Sequence, residues 1–195
     1  MTLKQKRTRI YSRRGDLGET SLLFGPRVGK DHRRIVLLGV LDEFSVWLSW
    51  ARGCGVDTEV ERVLRRLQFR ICEVGDEVAT IMPVKFNVKV VSEDDIKAVE
   101  KIIDIWDLKL EPKRERVLPG GAKSSVAIQI ARTICRRAER RACALLRFDP
   151  SFSPKVGSWL NRVGDLLTVL ARFENMRLGV LEENVASLPR EEDLF

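Results

Sequence analysis

Residues 35–51 read IVLLGVLDEFSVWLSWA. The run is apolar on almost every side of a helix, but Asp42 and Glu43 interrupt its middle. A membrane span needs about 20 apolar residues without such charges. The stretch therefore predicts a helix over 34–52 enclosed by other helices. Carboxylates inside such a helix call for partners, because an unpaired buried charge is costly.

Moving outward, the partners of that helix are predicted from the same 3.6-residue period. Val60, Val63, Leu64, Leu67, Ile71, Val74 and Val78 mark a second helix over 57–81, stopped before Pro83. Residues 84–91 (VKFNVKVV) alternate as a strand does, but a lone short strand has no partner, so they are read as a linker. Ser92 followed by Asp95 forms a helix-start signal, and a third helix runs from there to about 108. Pro119-Gly120-Gly121 breaks the chain before a fourth helix over 122–147. Asp149-Pro150 and Pro154 precede a fifth over 156–181. The fold class is all-α, a five-helix bundle of the up-and-down, ferritin-like type. The expected organisation is an N-terminal arm (1–30), the bundle (31–182) and a loose acidic tail (183–195).

Composition narrows the function. The chain has 195 residues and a net charge of +7, with 44% hydrophobic and 32% charged residues. That suits one domain with a sizeable core and an anionic partner. Nucleic acid is the first suspect on charge alone, but interleaved aromatics and a reading motif are lacking. No apolar run opens the sequence, so a cytoplasmic protein off the membrane is expected. Four cysteines without a C-x-x-C pair read as reduced thiols. His32 is the single histidine, which leaves a His/Cys zinc site short of ligands and makes a Ser-His-Asp or Cys-His pair implausible.

Three polar features remain. Residues 12–30 (SRRGDLGETSLLFGPRVGK) combine glycines, which let backbone N–H groups approach an anion, with arginines and Lys30. The segment is not a Walker A loop: Gly25 to Gly29 is one residue short, and Asp31 stands where Ser or Thr would bind magnesium. On the fourth helix, Arg132, Arg136, Glu139 and Arg140 share one face. On the fifth, Asn161, Asp165, Thr168 and Arg172 do the same. Such stripes are either solvated ion-pair faces or an anion site, and arginine suits phosphate because its planar donors bind two oxygens at once. The arginines of the fourth helix are the available partners for Asp42 and Glu43.

Together, SRRGDLGETSLL (12–23) with GPRVGK (25–30), GVLDE (39–43), LPGG (118–121) with ARTICRRAER (131–140), and WLNRVGDLLTVLAR (159–172) resemble the ATP:cob(I)alamin adenosyltransferases of the propanediol-utilisation type. Order and spacing agree over residues 10–175. The resemblance implies a homotrimer with ATP held between neighbouring subunits. It further implies that the 5′-deoxyadenosyl group passes from ATP to cobalt(I) of a corrinoid such as cobalamin, releasing triphosphate. By position, Ser12, Arg13, Arg14, Gly15, Asp16, Thr20 and Ser21 are expected to wrap the triphosphate, with Lys30 on the phosphates. Arg136, Arg137, Glu139, Arg140 and Asn161 are expected to line the nucleotide site. Asp42 is expected to pair with Arg132 and position the corrinoid, so Asp42, Arg132 and Arg136 are the candidate catalytic residues. Magnesium is expected with the phosphates. A corrinoid reductase or an adenosylcobalamin-dependent enzyme is the expected protein partner, with no nucleic acid.

The chain also departs from the family pattern. Arg14 replaces a threonine, Val36 a glutamate, Arg116 a phenylalanine, Gly164 a serine and Thr168 a phenylalanine. The aromatic replaced by Arg116 helps exclude the corrinoid's lower ligand in the family. That loss raises an alternative, a non-catalytic carrier or sensor of ATP or corrinoid with the same fold.

Overall fold

In a computed structural model, residues 10–112 and 117–185 are described. Arg116 and most of the expected tail lie outside the described residues. Five helices carry the fold: α1 (Arg33–Arg52), α2 (Thr58–Ala79), α3 (Glu93–Asp107), α4 (Lys123–Phe148) and α5 (Pro154–Arg177). Four of them start at a side-chain cap. The His32 ring nitrogen accepts from Arg34 N (3.3 Å), and Asp57 accepts from Glu59 N (2.8 Å). Ser92 and Asp95 exchange bonds in a full capping box before α3. Ser153 caps α5, with Pro154 in its first turn, where a missing N–H costs nothing.

α4 has no side-chain cap of its own, since Ala122 stands at its N-cap. Asn175, buried on α5, supplies the bonds instead. Its Oδ1 accepts from Ala122 N (2.9 Å) and its Nδ2 donates to Gly120 O (3.1 Å). Gly121 has φ +102°, and a Cβ there would collide with the Asn175 amide. The Pro-Gly-Gly break is thus a junction tying the start of α4 to the end of α5.

Packing follows the apolar stripes. α1 packs on α2 and α4, α4 on α5, and α5 on α3, which gives the lateral order α2–α1–α4–α5–α3. One core runs through all five, including Leu37, Phe44, Leu64, Ile128, Trp159 and Leu167, each fully enclosed. α1 is less enclosed than predicted. Its buried residues, Leu37, Leu41, Phe44, Leu48 and Ala51, form a single stripe. Val46 and Trp50 on the outer side are 67% and 56% exposed. Among the described residues no helix is long and apolar enough to cross a membrane.

Two features differ from the sequence reading. The arm contains a small antiparallel hairpin, β1 (Glu19–Ser21) with β2 (Arg27–Gly29), pairing Thr20 with Val28. Its tip is fastened to the bundle: Leu22 is buried, Leu23 N donates to Ala79 O (3.0 Å), and Phe24 stacks on Phe86 (4.9 Å). The stretch read as an extended linker begins with a 3-10 turn at Val84–Phe86. The linker then closes onto α2 through Val91 N, which donates to Glu77 Oε2 (2.7 Å).

Candidate functional site

The glycine-rich arm is shaped by turns. Arg13 adopts φ 60° and Gly18 φ 83°, and Gly18 N donates to Gly15 O (3.2 Å). Lys30 N closes the loop on Gly18 O (2.8 Å). The Lys30 ammonium lies across Gly15, where a Cβ would stand 3.2 Å from it. Glycine at 15 therefore leaves the space that the cation occupies. Ser12 Oγ accepts from Arg14 N (3.4 Å), while Arg27 donates to Arg14 O (2.8 Å) and to Glu19 (3.2 Å). Asp16 N turns back to Arg13 O (3.4 Å), and Thr20 and Ser21 lie on β1. Arg13, Arg14 and Lys30 form no ion pair among the described residues, so their charge is free for an anion.

A second cluster spans α1, α4 and α5. Glu139 is its centre. It accepts from Asn161 Nδ2 (2.9 Å) and pairs with Arg136 (3.2 Å). Asn161 Oδ1 in turn accepts from Arg162 (2.5 Å), which also donates to Glu100 of α3 (2.8 Å). Gly164 lies directly under Arg136, and a Cβ there would come within 3.3 Å of Arg136 Cδ. Arg140 is exposed and free of carboxylate partners among the described residues. Arg136 has its i+3 neighbour Glu139 as its ion-pair partner and keeps 43% of its side chain exposed. Glu139 thus orients Arg136 and Asn161 at a half-open face that Arg140 shares.

The expected Asp42–Arg132 pair is not formed in the subunit. Asp42 points to solvent, and Arg132 Nε donates to Gln129 Oε1 (2.6 Å). The ion pair between α1 and α4 is instead Glu43 with Arg137. Neighbouring residues on a helix point about 100° apart, so the rotation of α1 against α4 selects Glu43 over Asp42. Thr168 Oγ1 donates back to Gly164 O (3.1 Å) and offers no aromatic surface. Cys135 donates to Leu160 O (3.2 Å), and burial pushes its thiol far above the usual range, which makes it an inert structural group. All four cysteines are free, though Cys72 and Cys143 are exposed rather than enclosed.

The two clusters share a root, which the sequence reading missed. Arg33 follows the arm directly, donates to Ala144 O near the end of α4 (3.2 Å), and stacks over Phe148 (4.7 Å). Ala144 is one helical turn beyond Arg140. Arg34 is buried and donates to Val78 O (2.8 Å), Thr80 O (3.1 Å) and Asp149 Oδ2 (2.7 Å). It binds the start of α1, the end of α2 and the α4–α5 turn in one knot beneath the arm. Hydrogen bonds from Ser151 and Arg34 hold the Asp149 carboxyl below its ordinary range, against burial, which acts to raise it. Two adjacent arginines before an apolar helix were the available signal.

Known proteins resemble the chain over most of its length. The profile of the family described as cobalamin adenosyltransferase matches residues 10–174. The chain is 35% identical over 174 residues to the corrinoid adenosyltransferase of Mycobacterium bovis, covering 86% of this chain and 89% of that protein. It is 33% identical over 167 residues to the corrinoid adenosyltransferase PduO of Salmonella typhimurium, covering 85% of this chain but 49% of that longer protein. Its fold is similar to that of a variant PduO-type ATP:corrinoid adenosyltransferase from Lactobacillus reuteri complexed with cobalamin and ATP. The TM-score is 0.84 at 25% identity, covering 90% of this chain and 98% of that one.

Proposed function

The chain belongs to the cobalamin adenosyltransferase family, and we propose that it moves the 5′-deoxyadenosyl group of ATP onto cobalt(I) of a corrinoid. The observation that carries this reading is the presence of accessible cations on two elements: Lys30 over Gly15 with Arg13 and Arg14 on the arm, and half-exposed Arg136 with exposed Arg140 on α4. A triphosphate suits such a setting, because guanidinium and ammonium groups pair with its oxygens.

In this reaction the cobalt(I) electron pair forms a Co–C bond at C5′ of the ribose. The C5′–O bond breaks, and its pair leaves on triphosphate. Cobalt(I) is a strong nucleophile, so no general base is required. His32 is already committed as a helix cap. The protein's part is alignment, worth up to roughly 7–11 kcal/mol, and preorganised positive charge where the leaving group gains negative charge. Arg136, Arg137, Arg140 and Lys30 supply that charge. Ser12, Thr20 and Ser21 add hydroxyl donors, and the turns around Gly15 and Asp16 present backbone N–H groups. Glu139 orients Arg136 and Asn161. Asp42 and Arg132 position the corrinoid. Among the described residues no three His, Cys, Asp or Glu side chains gather into a metal cage. Magnesium would share the triphosphate charge beside Lys30 and Arg136, held largely by phosphate oxygens and water, a common arrangement for this ion.

We assign the complete site to neighbouring subunits of a homotrimer. Among the described residues no hydrogen bond or ion pair joins the arm to Arg136, and Arg33 ties the chain just after the arm to α4 at Ala144. Asp42 lies on the same exposed face of α1 as Val46 and Trp50, and apolar residues of that size on one exposed face mark an association surface.

Anaerobic incubation of the protein with ATP, magnesium and chemically reduced cobalamin tests the reading. Adenosylcobalamin and triphosphate are expected in equal amounts. Tight ATP or corrinoid binding without either product would instead favour the carrier or sensor, consistent with a non-aromatic Thr168.

A further inference from the structure

The helices form an incomplete ring. α2 and α3 stand at its two ends and leave a cleft of about 520 Å³ between them. This cleft is separate from the cation clusters above: none of their residues lines it, and Trp159 and Leu166 of α5 lie enclosed beneath it. Half-buried Val63 and Ile102 with exposed Phe69 and Ala98 give an apolar floor, backed by buried Leu67 and Val99. Its length along α2, from Arg62 to Glu73, is about 16 Å at 1.5 Å per residue.

The two ends of the cleft differ in charge. At one end Arg70 pairs with Glu73 (2.8 Å) and Asp95 (2.9 Å), and Lys89 pairs with Glu73 (3.0 Å), so that end is neutralised. At the other, Arg62 and Arg66 on α2 and Lys101 on α3 line the rim and form no ion pair among the described residues. Arg62 and Arg66 are one turn apart on the same face. The floor is apolar, about three helical turns long, and carries cations at one end alone. Its volume lies in the range of small-molecule sites.

We infer that this cleft binds a chain-like amphipathic anion, a linear aliphatic body with one anionic head. The body lies on Val63, Phe69, Ala98 and Ile102, and the head meets Arg62, Arg66 and Lys101. Charge at one end selects a single-headed amphiphile, since a polyanion would need cations along the whole cleft. The inference does not depend on the adenosyl-transfer reading, because no residue is shared between the two sites.

Calorimetric titration of the full chain with dodecanoate, below its micellar concentration, tests it. One molecule per chain is expected. Each methylene buried contributes roughly fourfold in affinity, so octanoate should bind about two orders of magnitude more weakly. Dodecanol, which lacks the charge, should bind about tenfold more weakly. The R62S/R66S double variant changes exposed side chains and should lose about tenfold for dodecanoate. Val63→Trp should fill the floor and abolish binding. ATP binding should be unchanged in both, which reports that they fold. No dodecanoate binding, equal affinity in the double variant, no dependence on chain length, or binding to this cleft of an acidic amphipathic peptide in place of the fatty acid would each overturn the proposal.

Discussion

Removing the Arg136 guanidinium should separate binding from folding. Arg136 keeps 43% of its side chain exposed, and its ion pair is to Glu139, three residues along its own helix. A pair that exposed contributes about 0–1 kcal/mol to stability. Arg136→Ala should therefore shift the unfolding free energy by less than about 1 kcal/mol. The nucleotide sees a different balance. A charge-assisted bond to phosphate is worth about 1.5–3 kcal/mol, which converts to a loss of roughly 10- to 150-fold in ATP affinity. Glu139 aggravates the loss, since in the variant its carboxylate faces the triphosphate without the guanidinium that balances it. Glu139→Ala in the Arg136→Ala background should then recover part of the affinity. Isothermal titration with ATP, alongside urea unfolding of each variant, reads both quantities. An ATP affinity within threefold of the parent, or a stability loss as large as the binding loss, would refute the reasoning.

Further outcomes follow from other joints. Gly121→Ala forces a side chain into φ +102° and against the Asn175 amide, and should cost about 2–4 kcal/mol in denaturant unfolding. Asp149→Asn should cost about 1.5–3 kcal/mol at neutral pH, since Arg34 loses its charged partner. Because the folded Asp149 carboxyl titrates below its unfolded value, that contribution is full above the ordinary carboxylate range. It disappears as pH falls through the folded value, so parent and variant stabilities should converge in acid. Trp50→Glu places a charge on the exposed apolar face of α1; if that face joins subunits of the proposed trimer, the variant should sediment as a monomer and lose adenosyl transfer.

The helices were legible because their signals are local. Ser92 with Asp95 and Pro154 mark starts, and the 3.6-residue period marks the buried face of α2. The hairpin was not, because three-residue strands are too short to show alternation. Its position depends on Leu22, Phe24 and the backbone of Ala79, fixed only once α2 and the turn at Val84–Phe86 are in place. Within the candidate site, residue types and faces were readable: Arg136, Glu139 and Asn161 converge across α4 and α5. The partner of the α1 carboxylates was not. Choosing Glu43 or Asp42 requires the rotation of α1 about its own axis, and the apolar residues on nearly every side of that helix leave the rotation undetermined. Arg34 was missed for a related reason, since its acceptors come from residues 78, 80 and 149, distant in sequence.

Subunit complementation tests most directly whether the arm and the α4 arginines meet around one triphosphate. Lys30→Ala and Arg136→Ala chains are co-expressed, purified as mixed assemblies and assayed at an ATP concentration low enough that neither variant alone turns over. If the arm of one subunit completes the helix cluster of its neighbour, random mixing restores intact sites and about a quarter of the parent adenosyl-transfer activity. Mixed assemblies as inactive as either variant alone would contradict the account.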